Sequence, residues 1–210
     1  MNDTWYSFLR RQGAVFEGTS VRQFGNGAST YLSPKDTVFS PINWLGIARI
    51  SGPDATDFLQ AQLTGDISDI GPEITRISGY CNPKGRLLAI FRVLREGDDF
   101  LLLSDSDILP NILQRLQMYV LRMKVHLAAE TARVAIGLVG PAADQIVAAL
   151  LGSPPEMVND VVCKQGICSI PFGEKEKGYL IIAPPEQLIE SWAVIRSGTQ
   201  LAGSDQWTLF

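Results

Sequence analysis

The sequence has little histidine, little cysteine and no long apolar run. With one histidine, His126, and three cysteines, Cys81, Cys163 and Cys168, a tetrahedral zinc site would run out of ligands. The C-x4-C pair in "CKQGIC" has no second pair to join it. An odd number of cysteines in a chain without an export signal argues against a disulfide framework, so reduced thiols are expected. The opening MNDTWYSFLR carries an acid and lacks the ~7–15-residue apolar stretch of a signal peptide, and nothing later approaches the ~18 apolar residues of a membrane span. A cytoplasmic protein without membrane contact is expected. Cationic excess is missing too: 18 Lys and Arg against 22 Asp and Glu leave a net charge of -4. No basic field is then available to hold a phosphate backbone by counterion release, and no direct nucleic-acid partner is expected. The "GNG" after Phe24 lacks the third glycine and the strand-to-helix setting of a nucleotide loop, and reads as a turn.

What is present is core material. Hydrophobic residues make up 46% of 210 residues, enough for one large domain or two small ones. Residues 1–43 are rich in turn formers ("EGTS", "FGNGAS", "LSPKD") and read as an irregular or short-stranded N-terminal arm. From Trp44 the pattern sharpens. "WLGIARI" is an apolar strand, "SGP" stops it, and "DATDFLQAQL" sets Ala55, Phe58, Leu59, Gln62 and Leu63 at helical spacing, with Pro53 suited to the first turn. The same order returns from Arg133: "RVAIGLV", then "GP", then "AADQIVAALLG" with Ala142, Ala143, Ile146, Val147, Leu150 and Leu151 on one face.

Each half continues with a second strand–helix pair, "DFLLLSDSDILPNILQRLQMYVL" and "GYLIIAPPEQLIESWAVI". The reading is an α+β fold of two ferredoxin-like (split βαβ) repeats, residues 44–130 and 131–210, as antiparallel sheets with helices packed on one face. Phe58, Leu59, Ile146, Leu150, Leu188 and Trp192 are the expected core of the helices. His126, in the alternating "KVHLAAE", is expected on a strand at the surface or hydrogen-bonded.

"GYCNPKGRLLAIFRVL", residues 79–94, reads as strand, tight polar turn, strand. Its Lys84 and Arg86 admit two readings. Pro fixes φ, Gly tolerates a positive φ and Lys takes water, so "NPKG" suits a solvated turn. Two cations at the lip of a cleft would equally hold a carboxylate-bearing ligand. Cys81, just before the turn, reads as a packed thiol or a reactive one.

The run "NWLGIARISGPDATDFLQAQLTGDIS", with "GYCNPKGRLLAIFRV" and "MYVLRMKV", resembles the N-terminal part of the YgfZ family, folate-binding proteins related to the T-protein of the glycine cleavage system. The resemblance implies a folate-binding body of paired ferredoxin-like units followed by a C-terminal barrel, which this chain is expected to lack. It further implies tetrahydrofolate or a derivative as ligand and a role in the assembly or repair of an iron–sulfur client protein, and so in tRNA modification. The two tryptophans that the family assigns to folate correspond to Trp44 and Trp207. An indole can stack on a flat pterin, although each tryptophan also reads as packing at a strand start. Lys84 and Arg86 would meet the glutamate tail of the folate.

Where the T-protein carries an Asp-Asp pair, this chain has Ala89 and Ile90, so the resemblance implies no catalytic residue here and no aminomethyl transfer. The family's Lys-Gly-Cys motif is absent from the chain. An aminomethyltransferase would need another acid, for which Glu174 or Glu176 are the candidates, and a non-catalytic interaction fragment is the third reading.

Overall fold

The computed structural model describes residues 2–25, 35–172 and 178–203. Helix α1 (Asp3–Arg11) opens the chain, followed by the hairpin β1 (Ala14–Glu17) and β2 (Ser20–Phe24) and by strand β3 (Thr37–Pro41). Next come β4 (Leu45–Ser51), α2 (Ala55–Gln62), β5 (Arg76–Cys81), β6 (Leu87–Glu96), β7 (Asp99–Asp105), α3 (Leu109–Gln117) and β8 (His126–Ala129). The last third holds β9 (Val134–Val139), α4 (Ala143–Leu151), β10 (Val162–Lys164), β11 (Ile167–Phe172), β12 (Gly178–Ala183), α5 (Pro185–Glu190), α6 (Trp192–Arg196) and β13 (Thr199–Leu201).

These elements form two compact units: residues 44–130, and residues 1–43 together with 131–210. The first is a five-stranded antiparallel sheet in the order β5-β6-β7-β4-β8. Alternation along its strands sends Ala48, Ile50, Ala89, Phe91, Val93, Phe100 and Leu102 to one face, where Phe58 and Leu59 of α2 and Ile112 and Leu116 of α3 cover them. The second is a six-stranded sheet in the order β10-β11-β12-β9-β3-β13. Its core joins Phe39, Ile136, Leu138 and Ile181 to Trp5 and Leu9 of α1, Ile146 and Val147 of α4, Leu188 of α5 and Ile195 of α6.

The repeat is visible in the corners. In both units a strand (β4 or β9) turns into a helix (α2 or α4) through Gly-Pro, with Gly52 at φ 113 and Gly140 at φ 123. The carbonyl of each glycine accepts from a residue three positions on, Ala55 N–H and Ala143 N–H, both at 3.0 Å. Neither corner has space for a side chain: a β-carbon would meet the Lys124 carbonyl oxygen at 2.2 Å at Gly52, and that of Asp36 at 2.4 Å at Gly140. The neighbouring chain is tied to each corner by a side chain, Asp54 Oδ2 accepting from Lys124 N–H at 2.6 Å and Thr37 Oγ1 from Ala142 N–H at 2.8 Å.

The described residues of the N-terminal arm form the short strands β1, β2 and β3, in line with the short-stranded reading, and also a helix that was not expected there. Asn2 caps α1, its side chain accepting from Trp5 N–H at 3.2 Å, and Trp5, Phe8 and Leu9 at helical spacing are buried. Strand β3 lies between β9 and β13, in the place that β8 holds beside β4. The second repeat therefore takes its outer strand from the start of the chain. Strand β13 pairs parallel to β3 rather than antiparallel to β9.

Phe58, Leu59, Ile146 and Leu188 are buried as expected, whereas Leu150 and Trp192 are half-buried at the rim. Trp192 meets Phe8 and Phe39 edge-on and donates through Nε1 to Gln12 Oε1 at 3.1 Å. Cys163 and Cys168 are not separate thiols. The β10–β11 register sets them directly opposite each other, Cα to Cα 4.1 Å, and they are disulfide-bonded, while Cys81 remains free.

Two outcomes follow from this packing. Gly52→Ala meets backbone as well as an unfavourable φ and should cost at least about 3 kcal/mol in urea unfolding, against about 1–2 kcal/mol for Gly85→Ala, whose β-carbon would meet open space. The second concerns Tyr179, whose hydroxyl donates to Asp144 Oδ1 at 2.6 Å. Burial, then the hydrogen bond and charge of Asp144, raise its pKa well above the usual value. The folded chain keeps this proton while the unfolded chain gives it up, so stability falls as pH rises beyond about 10. Tyr179→Phe should flatten that slope in melts taken between about pH 8 and 11.

Candidate functional site

The hairpin β5–β6 closes through a turn built by Asn82. Its Oδ1 accepts from Lys84 N–H at 2.9 Å and Arg86 N–H at 3.0 Å, and its backbone exchanges bonds with Gly85 and Arg86. Gly85, at φ 75, supplies the left-handed residue that the turn requires. Residues 83–87 are exposed, and among the described residues neither Lys84 nor Arg86 makes an ion pair. Their backbone is spent on the turn and their charges are left to solvent.

Strands β4 and β6 both run antiparallel to β7, so they are parallel to each other, and Trp44 at the head of β4 lies at the same end of the sheet as the turn. The two strands are two spacings, about 10 Å, apart. Trp44 is 45% exposed, and its carbonyl holds Ser106 N–H at 2.8 Å. Trp207, Glu174 and Glu176 lie outside the described residues.

Between turn and sheet the apolar side chains divide by face. Ala89 is 4% exposed and belongs to the helix-covered core, whereas Ile90 is 56% exposed on the opposite face. Across the ladder Ile90 is paired with Gly79, and Ile77 two residues earlier is 61% exposed on the same face. A β-carbon at Gly79 would lie 2.9 Å from Cδ1 of the exposed Leu87 side chain and 3.2 Å from Thr64 Oγ1. That hydroxyl accepts from Gly79 N–H at 2.9 Å, and Ser78 Oγ from Gly65 N–H at 2.8 Å, so residues 64 and 65 strap the edge of β5. The result is an open apolar surface, Ile77, Gly79, Leu87 and Ile90, next to two free cations. Sequence reading passed over Ile77 and Leu87. Ile77 stands two residues before Gly79 on the outward face of β5, a signal that alternation carries. Leu87, three residues from Ile90, reaches that face only through the bulge at Tyr80 and Cys81, which spacing within the strand does not show.

A second polar cluster lies at the opposite end of this sheet. Arg49 donates through Nε to Glu130 at 2.8 Å, through Nη1 to Asp99 at 3.0 Å and through Nη2 to Glu96 at 2.8 Å. Burial lowers the guanidinium pKa, but the hydrogen bonds to Glu130, Glu96 and Asp99 outweigh it and the net direction is upward. This arginine ties β4 to the β6–β7 turn and to the chain after β8, a structural clamp. His126 is exposed on β8, and Cys81 is half-buried at the bulge where β5 meets the turn. Among the described residues no group of three His, Cys, Asp or Glu side chains could hold a metal ion, and no helix is long and apolar enough to cross a membrane.

Residues 40–161, more than half of the chain, match the family model of the GCVT N-terminal domain. The chain belongs to the GCVT N-terminal domain family. Among curated proteins, this GCVT-type chain is similar to the tRNA-modifying protein YgfZ of Photorhabdus laumondii, 28% identical over 174 residues that cover 81% of this chain and 51% of the relative. It is similar also to that of Pectobacterium carotovorum, 25% identical over 180 residues, 86% and 53% of the two chains. The chain thus spans about half the length of the curated relatives it matches. Among solved structures the fold resembles glycine cleavage system aminomethyltransferase T from Bartonella henselae, with a TM-score of 0.77 at 18% identity over 97% of this chain and 59% of that one. The α+β architecture is therefore that of the GCVT fold.

The faces of the GCVT hairpin separate two substitutions. Ala89→Asp places a carboxylate in the apolar core and should cost on the order of 3–5 kcal/mol near neutral pH. Burial would raise the pKa of that acid, so the loss should shrink as pH falls toward 4. Ile90→Asp, on the open face, should stay within about 1 kcal/mol of the parent in the same urea titrations.

Proposed function

We propose that this domain binds a reduced folate, tetrahydrofolate or a derivative, as a non-catalytic accessory protein of the YgfZ type. In that role it serves the assembly or repair of an iron–sulfur client protein and, through that client, tRNA modification. The observation that carries the reading is the hairpin. Of the two positions where the T-protein has its acids, Ala89 faces the core and Ile90 faces out, so the open face offers apolar contact and no proton acceptor. A flat heteroaromatic ring suits the surface of Ile77, Gly79 and Ile90, with Trp44 at the same sheet end to stack or shield it and Trp207 as its partner. Lys84 and Arg86, exposed and without ion-pair partners among the described residues, suit the carboxylates of the glutamate tail.

Calorimetric titration with tetrahydrofolate tests the reading. Binding is expected, weakened about 3- to 10-fold by Trp44→Ala. Lys84→Ala should weaken a polyglutamylated folate by up to about 5-fold and leave a bare pterin unchanged. An aminomethyl-transfer assay on the same protein should show no turnover. Measurable transfer would make the chain an enzyme, and no heat with either folate would remove the ligand.

A further inference from the structure

The β10–β11 hairpin carries chemistry that folate binding leaves unused. Cys163 and Cys168 face each other across it and are bonded, Cα to Cα 4.1 Å. Cys163 is exposed on β10, the edge strand of its sheet, whereas Cys168 is 1% exposed. The hairpin does not depend on the sulfur bond for its shape. Gln165 at φ 52 and Gly166 at φ 86 give the two-residue turn that matches strand twist. From α5 the side chain of Gln187 donates through Nε2 to the Gln165 carbonyl, and β11 is paired along its length with β12. A ring enclosing so few residues constrains the unfolded chain little, so the bond is a poor staple for the fold.

We propose that Cys163 and Cys168 are a thiol–disulfide exchange site for low-molecular-weight thiols of the glutathione class. The thiolate of such a thiol attacks Cys163 Sγ at the exposed strand, a new S–S bond forms there, and the Cys163–Cys168 bond breaks with its electron pair leaving on Cys168 Sγ, which takes up a proton. A second thiolate then attacks the sulfur of the small thiol in this mixed disulfide, releases the small-molecule disulfide and leaves Cys163 as a thiol. The protein disulfide is reduced by two electrons and two thiols are oxidised to one disulfide, and the reverse sequence closes the bond. Pairing in the hairpin keeps the two sulfurs within reach after opening, so the couple cycles without unfolding. Release of the tie frees the edge strand β10.

The test uses the full chain with Cys81→Ser, equilibrated in buffers of graded reduced-to-oxidised glutathione ratio, quenched and alkylated, and read by intact mass and circular dichroism. Two alkyl groups should appear together as the ratio rises, with the far-ultraviolet spectrum unchanged, and amide exchange should quicken at residues 162–164. Oxidised glutathione should form a mixed disulfide with the Cys168→Ser variant, and about tenfold less of it with Cys163→Ser, whose remaining sulfur is buried. Resistance of the native bond to excess dithiothreitol until denaturant is added would make the pair a structural staple and overturn the proposal. So would thiols that stay reduced throughout the oxidised buffers. Because the titration needs no folate, its failure and a failure of the folate reading are distinguishable.

Discussion

Two strand-to-helix corners have no space for a β-carbon, and the architecture is organised around them. Gly52 and Gly140 each turn a strand into a helix at positive φ, and each corner lies against the backbone of an entering strand, through Lys124 in one unit and Asp36 in the other. Only glycine allows that approach, and the proline after it suits the turn into the helix. The contact sets where the outer strand enters, β8 after Lys124 and β3 after Asp36. Once that strand is placed, its neighbour in the sheet and the helix that covers it are determined.

The corner is the same in both units, yet the strand that fills it comes from opposite directions along the chain. In the first unit β8 follows α3 in sequence. In the second, β3 arrives from the N-terminus and displaces the element that follows the helices, so β13 is left to pair parallel on its outer edge. Phe39 of β3 joins the same core as Trp5 and Leu9 of α1. The arm is thus part of the second unit's core.

The candidate site follows from the same sheet logic. Parallel β4 and β6 bring Trp44 and the Lys84–Arg86 turn to one end of the first unit's sheet, and strand alternation gives that end an open apolar face. The charged clamp of Arg49 with Glu96, Asp99 and Glu130 lies at the other end, where it fixes strand ends. Ion pairing and apolar surface are therefore separated along the strands.

Local pattern carried the repeat, the Gly-Pro corners, the polar turn and the buried Phe58, Leu59, Ile146 and Leu188, because each depends on spacing within one element and its caps. The sequence by itself also determined that no acid stands at 89 or 90. Helix α1 was legible in principle, with Asn2 as cap and Trp5, Phe8 and Leu9 on one face, but the turn formers that follow masked it. Other features were decided only by tertiary structure: that β3 completes the second sheet, that Ala89 faces the core while Ile90 faces out, and that Cys163 meets Cys168. Each is a matter of register between strands, and register is set by long-range pairing and by which face the helices cover. A one-residue slip would invert every one of those faces, and no window of sequence contains both partners and the helices that choose between them.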